Sequence, residues 1–122
     1  MAARILIVED DPDFAESLVL AMSVRQCTAD VAHNGQDALD MYQAGKYDLV
    51  FMDIKLPGKN GVETLTELRQ IDPQAKVVMM TGFSEAALLD TARQSGAMDV
   101  LRKPFKMRQL FSYLDTLNNS ES

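Results

Sequence analysis

Residues that carry thiol and imidazole chemistry are scarce in this sequence, which has one cysteine, Cys27, and one histidine, His33. A lone cysteine cannot form an internal disulfide, so no covalent staple holds the chain, and a reducing compartment suits it. His33 has no evident partner role, which weakens a catalytic-thiol reading of Cys27. Basic side chains are outnumbered as well: 12 Lys and Arg stand against 18 Asp and Glu, for a net charge of −6. Binding to a phosphate backbone draws on clustered Lys and Arg, so direct nucleic-acid binding by this segment is not expected. No apolar run approaches the roughly 18 residues of a membrane span. Met1-Ala2-Ala3-Arg4 leads straight into a short apolar run and then acids, unlike a secretory leader. A cytoplasmic location, with no membrane partner, is the expectation.

What is present suits one compact domain: 122 residues, 47% hydrophobic and 25% charged. The domain is expected to span 1–122, with a core from about 4 to 117 and residues 118–122 as a frayed tail or the start of a linker. Five short apolar runs recur, at Ile5 to Val8, Ala29 to Ala32, Leu49 to Met52, Val77 to Met80 and Met98 to Leu101. The first, third and fourth are nearly continuous, as in parallel strands buried on both faces. Between them lie segments of helical spacing. Asp11 is placed to cap the first, with Pro12 at its first position. The second opens at Asn34 and ends at Gly45; the third holds Val62, Leu65 and Leu68 and stops before Pro73. The fourth begins near Ser84 and runs to Gly96, and the fifth carries Leu110, Phe111, Leu114 and Leu117. The methionines, Met52, Met79 and Met80 among them, are expected to fill the core. Strand–helix alternation repeated five times predicts an open, doubly wound α/β fold.

In such a sheet, ligands bind beyond the carboxyl ends of the strands. The first expected strand ends in Glu9-Asp10-Asp11, the third in Asp53, the fourth in Thr81 and the fifth in Lys103; the second ends in the turn His33-Asn34-Gly35. Carboxylates about 4 Å apart repel by roughly 4 kcal/mol per pair at an effective dielectric near 20. A cluster of them therefore calls for a cation, and an all-oxygen donor set favours Mg²⁺. A carboxylate beside such a cation can attack a phosphoryl group to form an aspartyl phosphate, while a lysine and a hydroxyl stabilise the remaining oxygens. The inventory is that of phosphoryl transfer.

Four blocks, Ile5-Leu6-Ile7-Val8-Glu9-Asp10-Asp11, Met52-Asp53-Ile54-Lys55-Leu56-Pro57-Gly58, Met80-Thr81-Gly82 and Leu101-Arg102-Lys103-Pro104-Phe105, resemble the signatures of CheY-like receiver domains of bacterial two-component response regulators. The resemblance covers about Arg4 to Leu117. It implies a flavodoxin-like (βα)5 fold with strand order 2-1-3-4-5. It also implies a phosphorylation-controlled signalling domain that is not an enzyme in the usual sense, catalysing only its own phosphorylation and dephosphorylation. Asp53 would be the phosphoacceptor, Asp10 a direct metal ligand, Glu9 a ligand through water, and the Lys55 carbonyl a further ligand. Thr81 would hydrogen-bond the phosphoryl group and Lys103 would pair with it. Pro57 and Gly61 match the turn after the third strand, and Lys103-Pro104 would be cis. The implied partners are a sensor histidine kinase or phosphotransfer protein, and an output domain beyond this segment or a separate effector. One position departs from the pattern: Val100 stands three residues before Lys103, where many receivers carry Tyr or Phe. With no ring there to turn inward, Phe83 is the expected contributor to the readout.

Asp11 reads as a helix cap and Asp13 as first-turn complement to the helix dipole. His33 reads as a turn or surface histidine. A Mg²⁺-dependent phosphatase would place a second acid two residues after its nucleophile, where this chain has Lys55. A nucleotide- or flavin-binding module would want a phosphate-cradling loop where Glu9-Asp10-Asp11-Pro12 stands. A pseudo-receiver acting by protein contacts alone would not need the whole set of site residues.

Overall fold

A computed structural model describes residues 3–82 and 86–120. Five strands alternate with five helices: β1 (Arg4–Val8), α1 (Pro12–Val24), β2 (Thr28–Ala32), α2 (Gly35–Met41), β3 (Leu49–Asp53), α3 (Gly61–Ile71), β4 (Val77–Thr81), α4 (Ala86–Gln94), β5 (Asp99–Arg102) and α5 (Met107–Ser120). All neighbouring strands pair in parallel, in the order β2-β1-β3-β4-β5. The continuous apolar runs resolve into two faces. Ile5, Ile7, Leu49, Phe51, Val78 and Met80 pack with Leu18 and Met22 of α1 and Leu110 and Leu114 of α5. Leu6, Val8, Val50, Met52, Val77 and Met79 pack on the other side with Leu65 and Leu68 of α3 and Ala92 of α4. Alternation along each strand divides one run between two cores, which is why β1, β3 and β4 need apolar residues throughout.

Local chemistry fixes the helix starts. Asp11 Oδ1 accepts from the Asp13 and Phe14 N–H groups at 3.0 and 3.4 Å, ahead of Pro12. Asn34 accepts from the Asp37 N–H at 2.8 Å. At α3, Asn60 and Glu63 satisfy each other's backbone N–H groups in a reciprocal capping box, which the sequence reading passed over.

Some boundaries differ from expectation. The second helix ends at Met41 rather than Gly45, because Tyr42 takes extended backbone at φ −72°, ψ 133°. Tyr42 is thereby buried, its ring 6.1 Å from that of Tyr47 and its hydroxyl bonded to Asp72. Met98 precedes β5 and is exposed. The fifth helix runs to Ser120, past Leu117; no Gly or Pro interrupts it there, and adding residues to a formed helix is cheap. The expected cap Ser84, and Phe83 with it, lie outside the described residues.

The hydroxyls of all three tyrosines donate to aspartates: Tyr42 to Asp72 at 2.6 Å, Tyr47 to Asp30 at 2.7 Å and Tyr113 to Asp99 at 2.6 Å. Burial, and then the aspartate acceptor, push each phenol up, that of Tyr47 to about 12. With folded pKa values above the unfolded value of about 10, the stabilisation is complete below that pH and is lost as pH rises through the folded values. An absorbance titration is expected to show no tyrosinate near pH ~10 and a late rise accompanying unfolding. Ionisation centred at the ordinary phenol value would contradict these contacts.

Candidate phosphoacceptor site

Strand register brings the acids together. Val8 pairs with Met52, so Glu9 and Asp53 leave adjacent strands side by side, and Asp53 is itself level with Met80 of β4. Carboxylate oxygens of Glu9, Asp10 and Asp53 all lie within 4.8 Å of one another. Glu9 is 1% exposed and Asp53 7%, while Asp10 faces solvent. Lys103, just past the end of β5, reaches across to donate to Glu9 Oε1 at 2.8 Å and to Asp53 Oδ2 at 2.7 Å. Its own N–H donates to the Thr81 carbonyl at 2.7 Å, tying the β5 exit to the end of β4. The Lys103-Pro104 bond is cis.

The other oxygens of the two buried carboxylates are also occupied. Asp53 Oδ1 accepts from the Lys55 N–H and Glu9 Oε2 from the Asp11 N–H, each at 3.0 Å. Burial pushes the Glu9 carboxyl up to about 7, against the opposing pull of Lys103 and of the Asp11 N–H. For Lys103, burial acts to lower the ammonium, but the hydrogen bonds to Asp53 and Glu9 outweigh it and leave the group above its ordinary value. Two buried acids, one exposed acid and one lysine leave the cluster negative, and every anionic donor in it is oxygen. Such a set fits a hard divalent cation and offers nothing to a soft one.

An open cleft of about 570 Å³ lies over these groups, lined by Glu9, Asp10, Asp53, Lys55, Lys103 and, on its apolar side, Phe14. The loop beneath is held by close backbone contact: the Gly61 N–H donates to the Ile54 carbonyl at 2.8 Å, and Ile54 N–H to the Met80 carbonyl at 2.9 Å.

The sequence-predicted residues are thus not all equivalent. Glu9, Asp10, Asp53 and Lys103 converge, and Lys55 lies at the rim with an exposed side chain. Thr81 is buried at the end of β4, but its hydroxyl donates to the Gly82 carbonyl at 3.1 Å, and it does not line the cleft among the described residues. His33 is exposed, its Nδ1 3.2 Å from the Glu9 carbonyl. Val100 is half-buried against the core on the α3–α4 side. Sequence reasoning did not single out Phe14 as a site residue, although it lines the cleft. The available signal was its place in the first turn of the helix that Asp11 caps, directly after the acids that follow β1.

A doubly wound parallel sheet with an acidic, lysine-bridged cleft beyond its carboxyl edge defines the class of CheY-like receiver folds. Known proteins agree. The family described as response regulator receiver domain matches residues 5–115, and the chain belongs to that family, whose members serve two-component signalling. Chemotaxis protein CheY of Bacillus subtilis (strain 168) is 36% identical over 121 residues, covering 97% of this chain and 100% of that protein. The uncharacterized transcriptional regulatory protein YkoG of the same organism is 36% identical over 109 residues, 89% of this chain but only 48% of its own length. The chain therefore spans the whole of one relative and about half of another. Among solved structures, a CheY-like response regulator receiver domain protein from Methanospirillum hungatei JF-1 superposes with a TM-score of 0.89 at 26% identity, covering 99% and 98% of the two chains. Among the described residues, no helix is long and apolar enough to cross a membrane.

Proposed function

We propose that this receiver domain takes a phosphoryl group onto Asp53 from a histidine kinase phosphohistidine or a phosphotransfer protein, in a Mg²⁺-dependent reaction, and relays the change through its output face. The observation that carries this reading is the convergence of Glu9, Asp10 and Asp53 within 4.8 Å, with Lys103 bonded to two of them. Asp10, Asp53, the Lys55 carbonyl and, through water, Glu9 would hold the ion. When bound, the ion offsets the charge of the carboxylates and of the incoming phosphoryl oxygens.

The residues of the chain do the rest. The Asp53 carboxylate is held in place by the Lys55 N–H on one oxygen and the Lys103 ammonium on the other. A carboxylate oxygen forms the new O–P bond as the P–N bond of the donor phosphohistidine breaks, and that electron pair leaves on the imidazole. Lys103 then turns from the Asp53 carboxyl, now an acyl phosphate, to a phosphoryl oxygen. The Thr81 hydroxyl exchanges the Gly82 carbonyl for the same group, a rotation about one side-chain bond at the end of β4. With Val100 already packed inward and carrying no ring, the rearrangement of the β4–β5 edge passes through backbone and neighbouring side chains. Lys55 stands two residues after the acceptor, where a phosphatase would need an acid, which argues for a stored phosphoryl group rather than repeated turnover. The output is carried by a domain beyond this segment or by a separate effector, and this segment binds neither nucleic acid nor membrane directly.

Intact mass after incubation with acetyl phosphate and Mg²⁺ tests the reading. One phosphoryl group is expected on the wild type, none on Asp53→Asn and none when the metal is chelated. Equal modification of Asp53→Asn would contradict it.

A further inference from the structure

We propose that Phe14 is a positioning residue for Lys103, its ring face holding the ammonium over the cleft throughout the phosphoryl-transfer cycle. The Lys103 Nζ lies 4.5 Å from the centroid of the Phe14 ring, within cation–π range. An ammonium has three N–H donors. Two are spent on Glu9 and Asp53, and the ring is the further contact that the structure gives this group. The ring is itself fixed: Phe105 meets it edge-to-face, with centroids 6.0 Å apart and planes at 67°. At the other end Phe14 is anchored in the first turn of α1, where its N–H donates to the capping Asp11 at 3.4 Å.

The inference rests on the phosphoacceptor reading of the cleft and deepens it. Both carboxylate partners of Lys103 are drawn on by that reaction, since Asp53 becomes an acyl phosphate and Glu9 would help, through water, to hold the ion. Among the described residues, the ring face is the contact of the ammonium that the chemistry leaves unaltered. A long lysine stem that lost both anionic anchors together would otherwise be free to swing into solvent, at the cost of the oxygen it must meet. With Leu56 and Pro57, Phe14 also supplies apolar lining to the cleft, which strengthens the electrostatic contacts beside it.

Phe14→Leu keeps apolar bulk and removes the ring face; Phe14→Trp keeps the face. With acetyl phosphate and Mg²⁺, Phe14→Leu is expected to form the Asp53 acyl phosphate about fivefold more slowly than wild type. That is the fold-change corresponding to a contact of about 1 kcal/mol. Phe14→Trp is expected to stay near the wild-type rate. The proton resonances of the Lys103 ε-methylene, shifted by the ring current in the wild type, should move toward ordinary values in Phe14→Leu and stay displaced in Phe14→Trp. A bulk packing role would not produce that pair of results. A wild-type rate in Phe14→Leu, or an unmoved Lys103 resonance, overturns the positioning role alone. A wild type that takes no phosphoryl group overturns the reading of the cleft and this inference with it.

Discussion

Replacing Gly61 with alanine is expected to lower the unfolding free energy by about 2–3 kcal/mol, the upper part of the range for overpacking at a tight site. A Cβ at Gly61 would stand 2.2 Å from the Asp53 carbonyl oxygen and 2.7 Å from Ile54 Cα. Both obstacles are backbone, so no side chain can swing aside to relieve them. The backbone they belong to carries Asp53, the proposed phosphoacceptor, and the residue after it. The variant should therefore lose acyl-phosphate formation out of proportion to its loss of stability. Gly45→Ala is the control. Gly45 has φ +84° and open space around its Cβ position, so alanine there meets conformational strain of about 1–2 kcal/mol without displacing Asp53. Urea unfolding midpoints and phosphorylation rates of the two variants separate the effects. A Gly61→Ala protein with the wild-type midpoint and rate would show that the approach of α3 to β3 is not what holds the acceptor.

The second large effect is a reversal of order. Without metal, Asp10→Ala is expected to melt above wild type, by a few tenths to about 1 kcal/mol of stability, since Asp10 is exposed and screened. It adds a third negative charge to a pair of acids that Lys103 already serves. With Mg²⁺ the wild type should gain about 2.7 kcal/mol at a concentration one hundredfold above its dissociation constant. The variant, lacking the proposed direct ligand, should gain little. Thermal melts of both proteins in chelator and in Mg²⁺ give four values, and the expected pattern is a crossing. Parallel shifts would mean that the ion stabilises the chain at some other place.

Much of this architecture was legible because it is local. Asp11-Pro12 announces a capped helix start, and near-continuous runs such as Leu49 to Met52 announce strands covered on both faces. Polar residues ending those runs marked the acidic site. What escaped the sequence is what depends on distant partners. The bond from Lys103 to Glu9 joins residues 94 apart, so nothing near Glu9 tells that it, rather than Asp10, is the buried acid held by the lysine. The Thr81 hydroxyl rests on the Gly82 carbonyl, a rotamer choice that no pattern encodes. Tyr42 leaves its helix early to reach Asp72, 30 residues on. Phe14 looked like any core aromatic until Lys103 came to lie on its face. Period and caps predict elements, whereas the pairings among side chains at strand ends are decided only once the sheet has assembled.

The most direct measurement of the central claim is chemical trapping of the acyl phosphate. Protein treated with acetyl phosphate and Mg²⁺ is reduced with borohydride, which converts an aspartyl phosphate to homoserine, and the peptides are sequenced by mass spectrometry. Homoserine at position 53 alone is the expected result. Reduction at Asp10, or no reduced residue at all, would contradict the account.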